Sequence, residues 1–232
     1  MLSFFDRGSA FSDAHNCAFF IYGTELVLLD CPMSAFLKLK HAGFWEKIDR
    51  IRILVTHTHS DHIGGIPLLI HYAFYALEKP VVIMAPSEQV RDDLFCLTDR
   101  IEGCDRAAYT IQIPAEYDAD FPVEPIPTRH VPALEGRCFG YHLRVNQTDI
   151  VFTGDTCILE PFLPYCKPHT LLYTETAFIQ TNVHLHIDAV LPKLCELQKS
   201  GVQVYLMHLD AEAEIRNRIC GTGILLAPLC VP

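Results

Sequence analysis

The sequence predicts a layered α/β protein whose mixed β-sheets are covered by helices. Three observations carry that expectation. Strand-like and helix-like periodicities alternate along the chain, so helices are available to cover both faces of a sheet. The run Ile51 to Thr56 is apolar and β-branched without alternation, as in a strand buried on both sides. Near the start, Cys17 to Tyr22 and Glu25 to Asp30 flank Gly23-Thr24, a two-residue loop suited to a hairpin, which makes the sheets mixed rather than purely parallel.

The other elements follow in order. Phe36 to Trp45 reads as a helix, and Ile63 to Leu77 as a buried one. The latter is the longest apolar stretch before the C-terminus, but it holds Pro67 and His71 and is shorter than the ~20 residues a membrane helix needs. Val81 to Ala85 repeats the buried-strand signal, and Ser87-Glu88 opens a helix running to about Leu97. Gly140 to Val145 and Asp149 to Thr153 form a second hairpin around Asn146-Gln147-Thr148. Leu171 to Thr174, a helix from Ile187 to Lys199, and Val202 to Met207 complete the pattern. Val27, Leu28, Ile53, Leu54, Val55, Val151, Phe152 and Leu206 are the expected core.

With no linker, repeat or low-complexity tract, residues 1–232 read as a single domain, and half of them are apolar, which excludes a disordered chain. The formal net charge of −10 opposes a long nucleic acid, because such partners are held by neutralising phosphates. The N-terminus lacks the basic, then apolar, pattern of a signal peptide, so the chain reads as cytoplasmic, and its ten cysteines, with no C-x-x-C pair, read as reduced thiols. The uncharged tail from Cys220 to Pro232, carrying Ile224, Leu225, Leu226, Leu229 and Val231, either packs on the core or covers a second copy in a homodimer.

Chemistry concentrates in Thr56-His57-Thr58-His59-Ser60-Asp61-His62-Ile63-Gly64-Gly65, directly after the buried strand. Packing gives no reason for three imidazoles and a carboxylate within six residues. Imidazole and carboxylate donors suit zinc, iron or manganese, and the lack of a nearby cysteine argues against a closed structural zinc site.

These residues match the H-x-H-x-D-H signature of the metallo-β-lactamase superfamily. The chain also resembles that family downstream, at His130, at Asp155 in Phe152-Thr153-Gly154-Asp155-Thr156, and at His208, each closing an expected strand. The resemblance implies a four-layer αββα sandwich of two mixed sheets flanked by helices. It also implies two divalent metal ions, zinc with manganese or iron as alternatives. His57, His59 and His130 would hold one, Asp61, His62 and His208 the other, and Asp155 would bridge them. Such a pair lowers the pKa of a shared water until hydroxide is available at neutral pH. Thr56, Thr58, Ser60 and Thr153 are candidates to orient the ligands.

The substrate must be read elsewhere. Glu175, after an expected strand, and His184 before a helix resemble an acidic residue and a histidine of the tRNase Z-like phosphodiesterases, although His186 stands where Ser or Thr is usual. A phosphodiester expels an alkoxide, so an imidazolium backed by a carboxylate has a purpose as general acid, filled by His184 or by His186. Those RNA-processing enzymes carry a long clamping arm between the third histidine and the bridging aspartate, whereas only 25 residues separate His130 from Asp155. The expectation is therefore a metal-dependent hydrolase of a small or cyclic phosphodiester, with Asp61, His184 and Glu175 as catalytic residues. A lactone, ester or thioester hydrolase could use the same metals without His184. A di-iron redox protein would bring a flavin domain and an acidic change in the first motif, and a non-catalytic metal-binding sensor would have lost ligands; the sequence shows neither departure.

Overall fold

The computed structural model describes residues 1–230, so Val231 of the expected apolar tail lies outside the described residues. The chain divides into two compact units, each built on one six-stranded mixed sheet. Two mixed sheets flanked by helices are the α/β metallo-β-lactamase-like class that the sequence predicts.

The first unit comprises Leu2–Asp6, Asp13–Asp118 and the segment from Leu229. Its strands are β1 (Ser3–Asp6), β2 (Cys17–Tyr22), β3 (Glu25–Leu29), β4 (Arg50–Leu54), β5 (Val81–Met84) and β6 (Tyr109–Gln112), adjacent in that order. β1 to β3 are antiparallel and β3 to β6 are parallel. The hairpin turns at Gly23-Thr24 as expected, with Tyr22 paired to Glu25 and Gly23 at φ 60°. The helices are α1 (Met33–Leu39), α2 (Ser60–Ile63), α3 (Ile66–Tyr72) and α4 (Glu88–Phe95). α1 begins earlier and ends sooner than expected, because Ala42-Gly43 breaks the periodicity before a short 3-10 turn at Trp45–Lys47. The long apolar stretch is helical but opens with a kink at Gly64-Gly65 and closes in a π-turn, Ala73–Leu77.

The second unit comprises Met1, Arg7–Ser12 and Ala119–Pro228. Its strands are β7 (Val123–Pro127), β8 (Phe139–Val145), β9 (Thr148–Phe152), β10 (Leu171–Glu175), β11 (Gln203–Met207) and β12 (Leu225–Leu226), again adjacent in chain order. The first three are antiparallel and the last four parallel. The hairpin between β8 and β9 is tighter than expected: Thr148 pairs with Val145, and only Asn146 and Gln147 turn, at φ 47° and 65°. Two residues with positive φ reverse the chain without splaying the strands. α5 (Ile187–Lys199) lays Ile187, Val190, Leu194 and Leu197 on Val151, Leu172, Val204 and Leu206, and α6 (Glu212–Arg218) adds Ile215 to the same cluster. β7 escapes a sequence reading because Pro125 and Pro127 are tolerated only at a sheet edge, which is where it lies.

All eight expected core residues are fully buried. The ten cysteines are free thiols, and burial pushes Cys17 and Cys31 up, away from the reactive thiolate. Within the tail, Ile224 is buried while Leu225 and Leu229 are exposed. No helix among the described residues is long and apolar enough to cross a membrane.

Arg52 is an unusual core residue, 1% exposed on β4. Its guanidinium lies 2.9 Å from Glu25 and 2.9 Å from Asp118, which also receives Arg50 at 2.7 Å. Partial burial pushes the Asp118 carboxyl up, but the Arg50 and Arg52 hydrogen bonds outweigh it and hold the group at about 2. Because the folded value lies below the unfolded one, this stabilisation is complete above pH ~4 and vanishes as pH falls through about 2. Asp118→Asn should lower the unfolding free energy at pH 7 by roughly 1 kcal/mol, after allowance for solvent screening. Urea melts should show the gap to wild type closing below pH 4; a gap independent of pH would contradict this account.

Candidate metal centre and its acid–base pair

In the first unit the signature residues leave the carboxyl end of a parallel strand, where α/β sheets place their functional groups. Val55 follows β4, and Thr56 to His59 lead into α2, which carries Asp61 and His62. The turn is held by Asp30, at the end of β3, fully buried and at φ 63°. The Thr56 N–H donates to Asp30 Oδ1 (2.8 Å), its hydroxyl donates to Oδ2 (2.8 Å), and His62 Nδ1 donates to the same Oδ2 (2.7 Å).

Having spent its proton on Asp30, the Thr56 hydroxyl accepts from His57 Nδ1 (3.1 Å), which assigns that imidazole's tautomer. His57 Nε2 then faces His59 Nδ1 at 3.0 Å. That spacing approaches the ~3.3 Å between two nitrogens on one tetrahedral cation with bonds of ~2.0–2.1 Å. His62 turns Nε2 toward Asp61 Oδ2, 3.3 Å away. The backbone is locked as well: Cys31 N–H donates to His62 O (2.7 Å) and Gly65 N–H to Cys31 O (2.8 Å). A Cβ at Gly65 would collide with the Pro32 carbonyl, so only glycine permits this approach.

In the second unit, His130 follows β7, Asp155 follows β9, Glu175 ends β10 and His208 follows β11, all at or just beyond strand ends. His208 sits at φ 53°, in the left-handed region that histidine enters more readily than bulkier residues. His130 donates Nδ1–H to the Val183 carbonyl (2.8 Å) and turns Nε2 toward Asp155 Oδ2, 3.8 Å away. His208 Nε2 lies 3.3 Å from the same oxygen, while its Nδ1 is 4.0 Å from Glu175. Ligand atoms of His130, Asp155 and His184 fall within 4.8 Å of one another, as do those of Glu175, His184 and His208.

Each unit thus repeats one device. An imidazole is tied back through Nδ1, and Nε2 is aimed at a carboxylate, the arrangement in which histidine serves a metal. The donor set fits a divalent cation. All seven sequence-predicted ligands belong to one or the other group: His57, His59, Asp61 and His62 in the first unit, His130, Asp155 and His208 in the second.

Glu175 and His184 form the closest side-chain pair in the second unit's group. Glu175 is fully buried; its Oε2 takes His184 Nδ1–H at 2.8 Å and its Oε1 takes the Thr156 N–H at 2.6 Å. Burial pushes the Glu175 carboxyl up, and the His184 hydrogen bond pulls it back. Burial works against the His184 imidazolium too, yet the Glu175 hydrogen bond and charge, with Asp155 and Asp210 behind, raise His184 to about 9. His186 instead occupies the N-terminal boundary of α5.

Sequence reasoning missed Asp30, the Val183 carbonyl and Asp210. Asp30 alone left a trace, a carboxylate closing the otherwise apolar run Leu26 to Leu29. Of the candidate orienting residues, Thr56 does so directly, and Thr153 accepts the Glu175 N–H at 3.1 Å. His71 lies apart, 3.7 Å from Cys104 Sγ, and His142 pairs with Asp149 at 3.0 Å.

The family model for "Anti-Pycsar protein Apyc1" matches residues 1–223. The chain belongs to the anti-Pycsar Apyc1 family. A member from Bacillus phage 010DV004 is 25% identical over 242 residues, covering 92% of this chain and 90% of that one. Among solved structures, the metallo-β-lactamase fold protein YhfI from Bacillus subtilis matches at TM-score 0.78 and 16% identity, over 99% of this chain and 97% of that one. The short form of human tRNase Z matches at TM-score 0.69 and 16% identity, over 97% and 95%. The fold is that of the metallo-β-lactamase proteins, and this family member is a metal-dependent hydrolase.

Asp30 should matter as much as a ligand. Asp30→Asn should weaken metal binding by about 10–100-fold, the usual effect of removing a ligand's orienting partner, while His71→Ala leaves metal content intact. Emission spectroscopy on dialysed, folded protein measures both. Full metal content in Asp30→Asn, or loss in His71→Ala, would contradict the assignment.

Proposed function

We propose that this Apyc1-family protein hydrolyses a small or cyclic phosphodiester, with His184 as the acid that protonates the departing oxygen. The observation that carries the reading is the 2.8 Å pair of the buried Glu175 with the half-buried His184, whose ring lies 4.9 Å from that of His130 and 5.4 Å from that of His208. A thioester expels a thiolate, which departs without a strong acid, so such a pair has little purpose there. The superfamily pattern supports His57, His59 and His130 on one cation, Asp61, His62 and His208 on a second, and Asp155 shared, in one hydrolase domain. We take both to be zinc, with manganese or iron as alternatives, in a cytoplasmic protein whose exposed Leu225 and Leu229 favour a homodimer.

The cations would supply Lewis acidity for the phosphoryl oxygens and a water activated at neutral pH. The chain's own residues do the rest. Thr56, Asp30 and the Val183 carbonyl hold imidazole protons on Nδ1 of His57, His62 and His130, so these three ligands need not reorient. Glu175 favours the imidazolium of His184 and fixes its Nδ1, leaving Nε2–H for the leaving oxygen. A cavity of about 550 Å³ borders His184 and carries Lys193 and His186 on its wall, room for a small phosphodiester.

A metal-reconstituted screen of cyclic nucleotides, aryl phosphodiesters, lactones and thioesters tests the reading; turnover confined to lactones or thioesters would overturn it. His184→Ala should cost about 10²–10⁴-fold on a phosphodiester with a poor alkoxide leaving group, and much less with a nitrophenolate, at unchanged metal content. Equal losses on both would mean that His184 only positions substrate. In Glu175→Gln the carboxylate no longer favours the imidazolium, so the alkaline fall in activity should move to lower pH.

A further inference from the structure

Two short segments of the second unit are rooted far more firmly than their exposed tips require. The first is the turn after Arg7. The Leu209 N–H donates to Arg7 O (2.7 Å) and the Ser9 N–H to Leu209 O (3.0 Å), one residue past His208. Arg7 also clasps Glu212 with two hydrogen bonds, at 2.9 and 2.8 Å. The Ser12 N–H donates to Ser9 O (3.0 Å), which closes a turn with Ala10 and Phe11 at its tip. Phe11 is fully exposed, at 102% of its reference area.

The second segment follows Ala177. Both oxygens of Asp210 are taken by its backbone, Oδ1 by the Phe178 N–H (2.7 Å) and Oδ2 by the Ile179 N–H (2.9 Å). This fixes Ile179, which is 63% exposed. Phe11 and Ile179 line the same slot of about 130 Å³, which His184 and His208 also line. Single exposed apolar residues need no explanation. Two on anchored turns, sharing one slot with the catalytic imidazoles, do.

We propose that Phe11 and Ile179 clamp the flat ring of a nucleobase carried by the phosphodiester, making Phe11 a substrate-specificity residue. The proposal rests on the phosphodiesterase reading for its substrate class. The slot is far below the ~300–1,000 Å³ of sites that enclose a whole drug-sized ligand, so it takes one ring and not a chain. With Asp210 engaged by backbone, the slot's remaining polar side chains besides the two histidines are Ser9 and Thr181, and Thr181 already accepts the His184 N–H at 3.1 Å. Contact is therefore chiefly to the ring's face. A ring entering the slot covers both apolar side chains, and stacking on an aromatic residue strengthens the binding of any base. The sugar and phosphate then lie toward His184 and His208.

Two measurements separate this proposal from the reading beneath it. Calorimetry on metal-loaded protein compares adenosine 5′-monophosphate with ribose 5-phosphate, which share the phosphate and differ by the base. Wild type should prefer the nucleotide by about 10-fold or more; Phe11→Ala should lose most of that preference and Phe11→Trp keep it, with unchanged melting temperature because the side chain is solvent-exposed. Equal affinities in wild type, or a preference that survives Phe11→Ala, would overturn the clamp. So would loss of the preference on Leu163→Ala in place of Phe11→Ala, since Leu163 lines the larger cavity that borders His184 and the ring would then sit there. Turnover of adenosine 3′,5′-cyclic monophosphate by wild type is the second measurement. Its absence, together with no turnover of any other phosphodiester, would sink the phosphodiesterase reading, whereas turnover with an unaltered nucleotide preference in Phe11→Ala would sink the clamp alone.

Discussion

A histidine holds a cation through an unprotonated ring nitrogen, and holds it more tightly when that nitrogen is already free and aimed before the cation arrives. That requirement organises much of the buried polar structure here. Asp30 accepts from His62 and, through the Thr56 hydroxyl, fixes His57; the Val183 carbonyl does the same for His130. Burying a carboxylate such as Asp30 is costly unless its oxygens are satisfied, and three donors satisfy this one. The left-handed conformations at Asp30 and His208 and the close approach at Gly65 are the backbone's share of the same constraint.

The two sheets meet the constraint by one plan. In each, an antiparallel edge gives way to parallel strands, and the polar side chains emerge where those strands end. Arg52 apart, the buried middles of such strands are largely apolar on both faces, so loops at their carboxyl ends can carry chemistry without disturbing the core. In the second unit one of those ends also carries the Glu175 carboxylate, which is bonded to His184 in the segment before α5. Glu175, fully buried, would be a liability alone; bonded to His184 and to the Thr156 N–H, it becomes the group that favours a charged imidazole.

Local signals made much of this legible in the sequence. The strands around the first motif were readable because they are short, apolar and bounded by turn residues, and the motif because four ligand types fall within six positions. The structure moves most boundaries by only a residue or two, as for β3, which ends at Leu29, and β10, which extends through Glu175. What stayed hidden depends on long-range pairing. Asp30 meets His62 across 32 residues, and Asp210 reaches the 178–179 backbone across 31. β1, β6, β7 and β12 are short or edge strands whose pairing partners, not their own periodicity, define them. α1 was misjudged because its apolar rhythm runs on past Leu39, where the helix ends ahead of the Ala42-Gly43 break. Ten cysteines and five further histidines remained structural candidates because no spacing tied them to a pattern.

The central claim is that the imidazole tautomers are set by the fold before metal arrives. Two-bond ¹H–¹⁵N correlation spectra of the metal-free protein, followed through a zinc titration, measure this directly. The account predicts that His57, His62 and His130 carry their proton on Nδ1 from the outset and that only their Nε2 resonances move as zinc binds. Protons found on Nε2 in the metal-free protein, or Nε2 resonances indifferent to zinc, would contradict it.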